Sequence, residues 1–206
     1  MSQTIEEFTA DLASAAPTPG GGSTAALVGA LSSALGEMVG HIRQEKLDES
    51  RLTELIAEMT VSRTKMLSLI QEDENAFETF TVALKMPKET EEQKTKRAAE
   101  MLHGLIVAAQ PPLKIAQTAT KILHQLEEMK KYSSKSLLSD IGSGTALAEA
   151  ALKASVLNVY ENTRMMKDKD QAASLNKTTD DVLEEGLKIS ASLYPAMQKA
   201  ARGEKA

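Results

Sequence analysis

Cysteine and tryptophan are absent from this chain of 206 residues, and only three tyrosines and three phenylalanines are present. Without cysteine there is no disulfide, no thiolate nucleophile and no Cys-based zinc or iron–sulfur site. A metal site would have to rest on Asp, Glu and three histidines. Glu100 and His103 have the spacing of a di-iron helix motif, but the second such pair is missing, so no metal is expected. A basic excess is also missing: 24 Lys and Arg stand against 29 Asp and Glu, a formal net charge of −5. Phosphate backbones demand a cationic footprint, and single strands demand aromatic platforms, so no nucleic-acid partner is expected.

Strand-type alternation is absent too. The N-terminal stretch has no apolar run of the kind a signal peptide carries, since Glu6, Glu7 and Asp11 interrupt it. A cytoplasmic protein is expected. No charge occurs between Asp11 and Glu37, but that run is rich in Pro, Gly, Ser and Thr and its apolar residues are mostly Ala. It reads as part of a folded domain, with no membrane partner expected.

What is present is helical periodicity. Thr4 and Glu7 form a capping box ahead of Ile5, Phe8 and Leu12. The Pro17–Gly22 run interrupts the helix, and Ser23 or Thr24 can cap a second helix reaching about Arg43. That helix has small residues every four positions, in the rows Ala25, Gly29, Ser33 and Ser32, Gly36, Gly40. Such rows admit a neighbouring backbone, so the helix belongs in a bundle centre or at a subunit contact. A third helix, from about Asp48 to Lys85 and roughly 55 Å long, repeats Leu52, Ile56, Met59, Arg63, Met66, Ile70, Asp73, Phe77, Phe80 and Leu84 as a heptad seam.

Thr90 and Gln93 form a second capping box opening a fourth helix, which Pro111-Pro112 is expected to end. A fifth helix then runs to about Lys131, a sixth from Ser139 to Met166, and a last from Ser174 to Ala201 with a kink at Pro195. The fold class is all-α: one domain, residues 1–206, built as a bundle of long, roughly antiparallel helices.

Several residues break their local rule. Asp73 is a carboxylate on an apolar seam, which requires a partner or a shifted pKa. It either pairs with an arginine such as Arg63 or acts as a general acid/base. Pro19, Gly20, Gly21, Gly22 and Ser23 form a shaped loop whose backbone N–H groups could meet a ligand, or form a simple turn. Ser139 or Asp140 reads as an N-cap. Asn158 and Asn162 share one helix face and need partners if buried.

These features together resemble the cyclodeaminase/cyclohydrolase family. The resemblance rests on Pro17-Thr18-Pro19-Gly20-Gly21-Gly22-Ser23, on Asp73-Glu74-Asn75-Ala76-Phe77, on Met86-Pro87-Lys88, and on Pro112-Leu113, Ser139-Asp140 and Asn158 through Asn162. It covers nearly the whole chain. It implies a helical homodimer acting on a tetrahydrofolate derivative, with no tightly bound cofactor. The implied reactions are closure of 5-formiminotetrahydrofolate with loss of ammonia, and interconversion of methenyl- and 10-formyltetrahydrofolate with water.

The family's catalytic aspartate falls on Asp73. The glycine loop with Ser23, and Asp140, Asn158 and Asn162, would hold the pterin, chiefly through edge hydrogen bonds rather than a stacked ring. Lys65, Lys88 and Arg97 would meet the anionic glutamate tail. Ser-Lys-Ser-Leu-Leu precedes Ser139 where the family often has Asn and small residues, which weakens the role of Asp140. The other reading is a non-catalytic helical dimer that serves as a folate-binding or interaction module.

Overall fold

A computed structural model describes residues 3–204; residues 1, 2, 205 and 206 of the expected domain lie outside the described residues. Among the described residues six α-helices follow one another: α1 Ile5–Leu12, α2 Gly21–Gln44, α3 Ser50–Leu84, α4 Glu91–Met129, α5 Leu138–Met165 and α6 Lys169–Ala201. A 3-10 turn, Lys135–Leu137, the only one among the described residues, leads into α5. Both capping boxes form. The Glu7 carboxylate accepts from the Thr4 N–H at 2.7 Å, and Gln93 Oε1 accepts from the Thr90 N–H at 3.1 Å. Each returns its own N–H to the threonine hydroxyl, so two N–H groups without helical partners are satisfied at each start.

The small residues of α2 explain the packing. Gly29 lies against Met66, Gly36 against Met59 and Leu126, and Gly40 against Ile56 and Met129. α2 therefore runs antiparallel to α3 and parallel to α4, with methionine side chains filling the grooves that the glycines leave. On its other flank the Ser32 hydroxyl donates to the Gly144 carbonyl at 2.7 Å while Gly21 lies against Asn158, so α5 runs antiparallel to α2. Both rows of small residues are buried, so of the two expected settings the bundle centre holds for them. α6 closes the bundle along α5 and α4, with Thr163 bonded to Asn176 and Thr120 to the Val182 carbonyl.

α2 is also long and apolar enough to cross a membrane by length and composition. Its inner face is committed to the bundle, where Ser32 and Ser33 donate to the carbonyls of Gly144 and Met59. Its outer face carries Leu31, Leu35, Met38 and Ile42 without a charge, and Leu31 is 48% exposed; Leu27 and Val28 are partly buried against the core.

Three sequence expectations are corrected. The fourth and fifth helices are one: α4 continues through Pro111 and Pro112, both buried. Pro112 has no N–H for the carbonyl of Ala108, and the Asn162 side chain supplies that donor from α5 at 3.3 Å. Secondly, Ser23 and Thr24 do not cap α2. Gly20 is the N-cap without a side-chain bond, and the helix starts inside the glycine run. Likewise Leu137 stands at the N-cap of α5, so Ser139 and Asp140 fall inside its first turn.

Thirdly, the seam on α3 is broken beyond Ile70, where Phe80 alone of its apolar members stays buried. Beyond it Ala76, Phe80 and Ala83 are buried, whereas Phe77 is 38% and Leu84 is 41% exposed. The cause is length. α2 begins beside Asp73, so the last eleven residues of α3 project about 16 Å past its end and lose that cover.

Candidate active site

α2 starts where α3 presents Asp73. The Ser23 hydroxyl donates to Asp73 Oδ2 at 3.0 Å, and the Ser23 backbone N–H also favours the charged carboxylate. Asp73 thus takes the capping place that Gly20 cannot fill, and it faces the positive end of the α2 dipole. Closeness is possible only because residue 22 is glycine: a Cβ there would lie 2.6 Å from both Cγ and Oδ2 of Asp73.

Two forces compete over the Asp73 proton. Burial raises its pKa above the ordinary aspartate value, and the two bonds from Ser23 pull it back; burial is the larger. Glu74 is also raised, first by burial and then by the neighbouring Asp73 charge. A half-buried carboxylate that holds its proton above the usual range, on a rigid helix beside a backbone turn, is equipped to give and take protons.

Arg63 is not its partner. Arg63 reaches the buried Glu37 of α2 at 2.7 Å instead. The arginine alternative read from the sequence is therefore replaced by a serine and a helix terminus.

Asn158 joins this site from α5. A Cβ on Gly21 would lie 3.2 Å from its Nδ2 and 3.3 Å from its Oδ1. Asn158 Nδ2 donates to the Ala154 carbonyl, and Asn162 Nδ2 donates to the carbonyls of Asn158 and Ala108. Asn162 Nδ2 thereby uses both of its N–H donors, whereas Asn158 Nδ2 keeps one, so Asn158 can still donate as well as accept and Asn162 offers its carbonyl oxygen. Pro19 and Gly20 are half-buried beside this turn, and Gly21 is exposed at its tip.

Other candidates lie elsewhere. Asp140 is eighteen residues before Asn158 on the same helix, about 27 Å along the axis, so one chain does not bring the two together. Lys65 is held by Glu72 at 2.7 Å, and Glu72 also takes Lys114 at 3.1 Å. Lys88 and Arg97 do meet, around a cavity of about 640 Å³ that Lys94 and Lys167 also line. Asp73 does not line that cavity. Sequence reasoning missed Phe77 as a surface group. The signal was available in its i+4 spacing from Asp73, but the seam pattern assigned it to the core.

A family model described as formiminotransferase-cyclodeaminase matches residues 4–181. A methenyltetrahydrofolate cyclohydrolase of Methylorubrum extorquens is 30% identical over 200 residues, spanning 95% of this chain and 96% of that protein. The formimidoyltransferase-cyclodeaminase of Mus musculus is 32% identical over 98% of this chain, which spans only 36% of that longer protein. The crystal structure of a formiminotetrahydrofolate cyclodeaminase from Thermotoga maritima superposes with a TM-score of 0.80 at 26% identity, covering 98% of this chain and 97% of that one.

Proposed function

For a chain that belongs to the formiminotransferase-cyclodeaminase family, we propose that Asp73 is the general acid/base of a folate one-carbon reaction. The observation that carries this is the carboxylate itself, half-buried against the first turn of α2 with its proton affinity raised by burial. Both candidate reactions need one proton relay at one carbon. In the deaminase direction the N10 amine of the folate attacks the formimino carbon and a C–N bond forms. Starting from the protonated formimino group, whose nitrogen carries two hydrogens, Asp73 takes the amine proton and returns it to that nitrogen, so that ammonia leaves and the methenyl cation remains. In the hydrolase direction water adds to the methenyl carbon and Asp73 takes one water proton, which passes to N5 as that C–N bond breaks; the remaining hydroxyl proton goes to solvent as the formyl C=O forms on N10. The Asn158 amide, the Asn162 carbonyl oxygen and the backbone of Pro19 to Ser23 would orient the pterin. Asp140 has no place in this arrangement within one chain.

Relatives of both activities support the class without separating the two. A spectroscopic assay does separate them. Growth of the near-ultraviolet band of the methenyl compound from the formimino substrate identifies the deaminase, and its decay in water above the uncatalysed rate identifies the hydrolase. Binding of a folate with neither change would leave the non-catalytic module as the reading.

A homodimer is part of the same proposal. On the uncharged outer face of α2, Leu31, Met38 and Ile42 are 48%, 39% and 39% exposed, and Val61 and Leu157 on the two neighbouring helices are 62% and 66% exposed. A second copy of the chain would cover it. Replacing Leu31 with Glu should shift the species seen by analytical ultracentrifugation from dimer to monomer; a wild-type monomer would refute the assembly.

A further inference from the structure

α4 crosses from one apolar cluster into another at the point where its own hydrogen bonding is weakest. The main core takes in Ile70 of α3 with Ile115 and Ala116 of α4. A smaller cluster joins Phe80 of α3 and Leu105 and Ala109 of α4 to Met166 and Ala172 at the α5–α6 corner. Pro111 and Pro112 lie between the two on α4, and Asp73 lies between them on α3, so the candidate site sits on the boundary. The prolines withdraw the N–H groups that the Val107 and Ala108 carbonyls would each receive from four residues on. Asn162 restores the bond to Ala108, at a long 3.3 Å, with the same amide nitrogen that holds the Asn158 carbonyl at 2.8 Å. Sharp bends in helices concentrate at such positions.

Beyond the boundary α3 and α4 form one body. A Cβ on Gly104 would lie 2.8 Å from the Phe80 Cα, so the two backbones touch. This tip meets the α5–α6 corner through a contact that includes the flexible thioethers of Met101 and Met166. A cavity of about 640 Å³ separates Met101, Leu102 and Leu105 of the tip from Met165 and Lys167 of the corner, which leaves the tip room to move. α3 has no break at the boundary, but its last eleven residues are free of α2 and can flex as long helices do.

We propose that the α3–α4 tip is a lid that closes toward α5 by bending of α4 at Pro111 and Pro112, with Asn162 as its latch. The inference rests on the reading of Asp73 as the reacting group and adds the motion that covers it. Phe77 rides on the tip one turn beyond Asp73, 38% exposed, and closure brings its ring over the carbon that Asp73 serves. A ligand held between Asp73 and Asn158 touches Phe77 only in the closed state, and that difference in contact drives the motion. Asn162 couples the bend to the site, because its amide bonds both the hinge carbonyl and the Asn158 carbonyl. The arm from Pro111 to Glu91 is about 30 Å long, so a bend of about 10° carries its end about 5 Å.

The absence of cysteine makes the motion directly measurable, since two introduced thiols take spin labels without competitors. Lys96→Cys on the tip and Ser174→Cys on α6, both exposed positions, supply the pair. Pulsed electron paramagnetic resonance of the full chain, diluted into unlabelled chain, should show a broad distance distribution. Saturating 5-formyltetrahydrofolate should narrow it and shorten its mean by about 5 Å, and calorimetric titration of the same sample records whether that probe binds. In Pro111→Ala with Pro112→Ala both helical donors return, so the free distribution should already be narrow and the ligand shift should be lost. Pro112→Ala alone should show the same narrowing to a lesser degree, and serves if the double variant folds poorly. Asn162→Ala should act in the opposite sense and broaden the free distribution, which a residue that only packs would not do. A bound probe with an unmoved distance, or proline variants that shift as the wild type does, overturns the lid. Absence of binding overturns the folate reading instead; the free-state widths then still decide the hinge, and equal widths in wild type and proline variants overturn it.

Discussion

Asn162 Nδ2 lies 3.3 Å from the Ala108 carbonyl, the acceptor that Pro112 leaves without a helical donor. One side chain thereby keeps a 39-residue helix continuous and ties it to α5 beside the candidate site. Asn162→Ala should therefore cost about 1–3 kcal/mol, because a buried acceptor loses its partner. Pro112→Ala restores the N–H, so in that background the same change should cost much less. A double-mutant cycle by urea denaturation measures the difference. Additive effects would show that the bond to Ala108 contributes nothing.

Asp73→Asn tests the acid/base and the electrostatics together. Turnover should fall by about 10²–10⁴-fold, the range for losing a positioned general acid/base. Stability should move the other way. Burial raises the Asp73 pKa in the folded state, so the folded chain binds this proton more tightly than the unfolded chain. Its contribution to stability is then lost as pH rises from the ordinary aspartate range through the raised value. The denaturation midpoint of Asp73→Asn should exceed that of the wild type at neutral pH, and the gap should close in acid below the ordinary range. A variant less stable at neutral pH would mean that capping of α2 outweighs burial.

Gly22 and Gly104 separate site from scaffold. A Cβ on Gly22 meets the Asp73 carboxylate, whereas a Cβ on Gly104 meets the Phe80 backbone, 2.8 Å from its Cα. Each alanine variant should destabilise the fold by about 1–3 kcal/mol through overpacking. Only Gly22→Ala should also depress kcat, as Asp73 is pushed from its bond to Ser23. Equal kcat values per folded molecule in the two variants would remove the Asp73–Gly22 contact from the chemistry.

The parts of this molecule that were legible in the sequence are those governed by local pattern. Thr4–Glu7 and Thr90–Gln93 cap as their spacing says, and Gly29, Gly36 and Gly40 face large side chains as a small-residue row requires. Asp73 was conspicuous because a carboxylate does not belong on a seam. What misled were features decided by neighbours in space. Pro111-Pro112 fails to end α4 because Asn162, fifty residues away, replaces a missing donor. Phe77 and Leu84 continue the heptad but face outward because α2 stops short of them. Ser23 looked like a cap for its own helix, yet its hydroxyl is used by a carboxylate on another.

That last bond yields a measurable pH effect. Both bonds from Ser23 lower the Asp73 pKa against the larger effect of burial, and Ser23 is fully buried. Ser23→Ala removes the hydroxyl and keeps the backbone N–H, so the Asp73 pKa should rise further. If the carboxylate form starts the relay, the acidic limb of the kcat/KM profile should move to higher pH, with the basic limb unchanged. Loss of one hydrogen bond should lower stability by about 1 kcal/mol. A serine that merely supports the turn would give that same destabilisation with an unmoved acidic limb. The pH profile, read beside the denaturation midpoint, therefore distinguishes a serine that positions and tunes Asp73 from one that only packs.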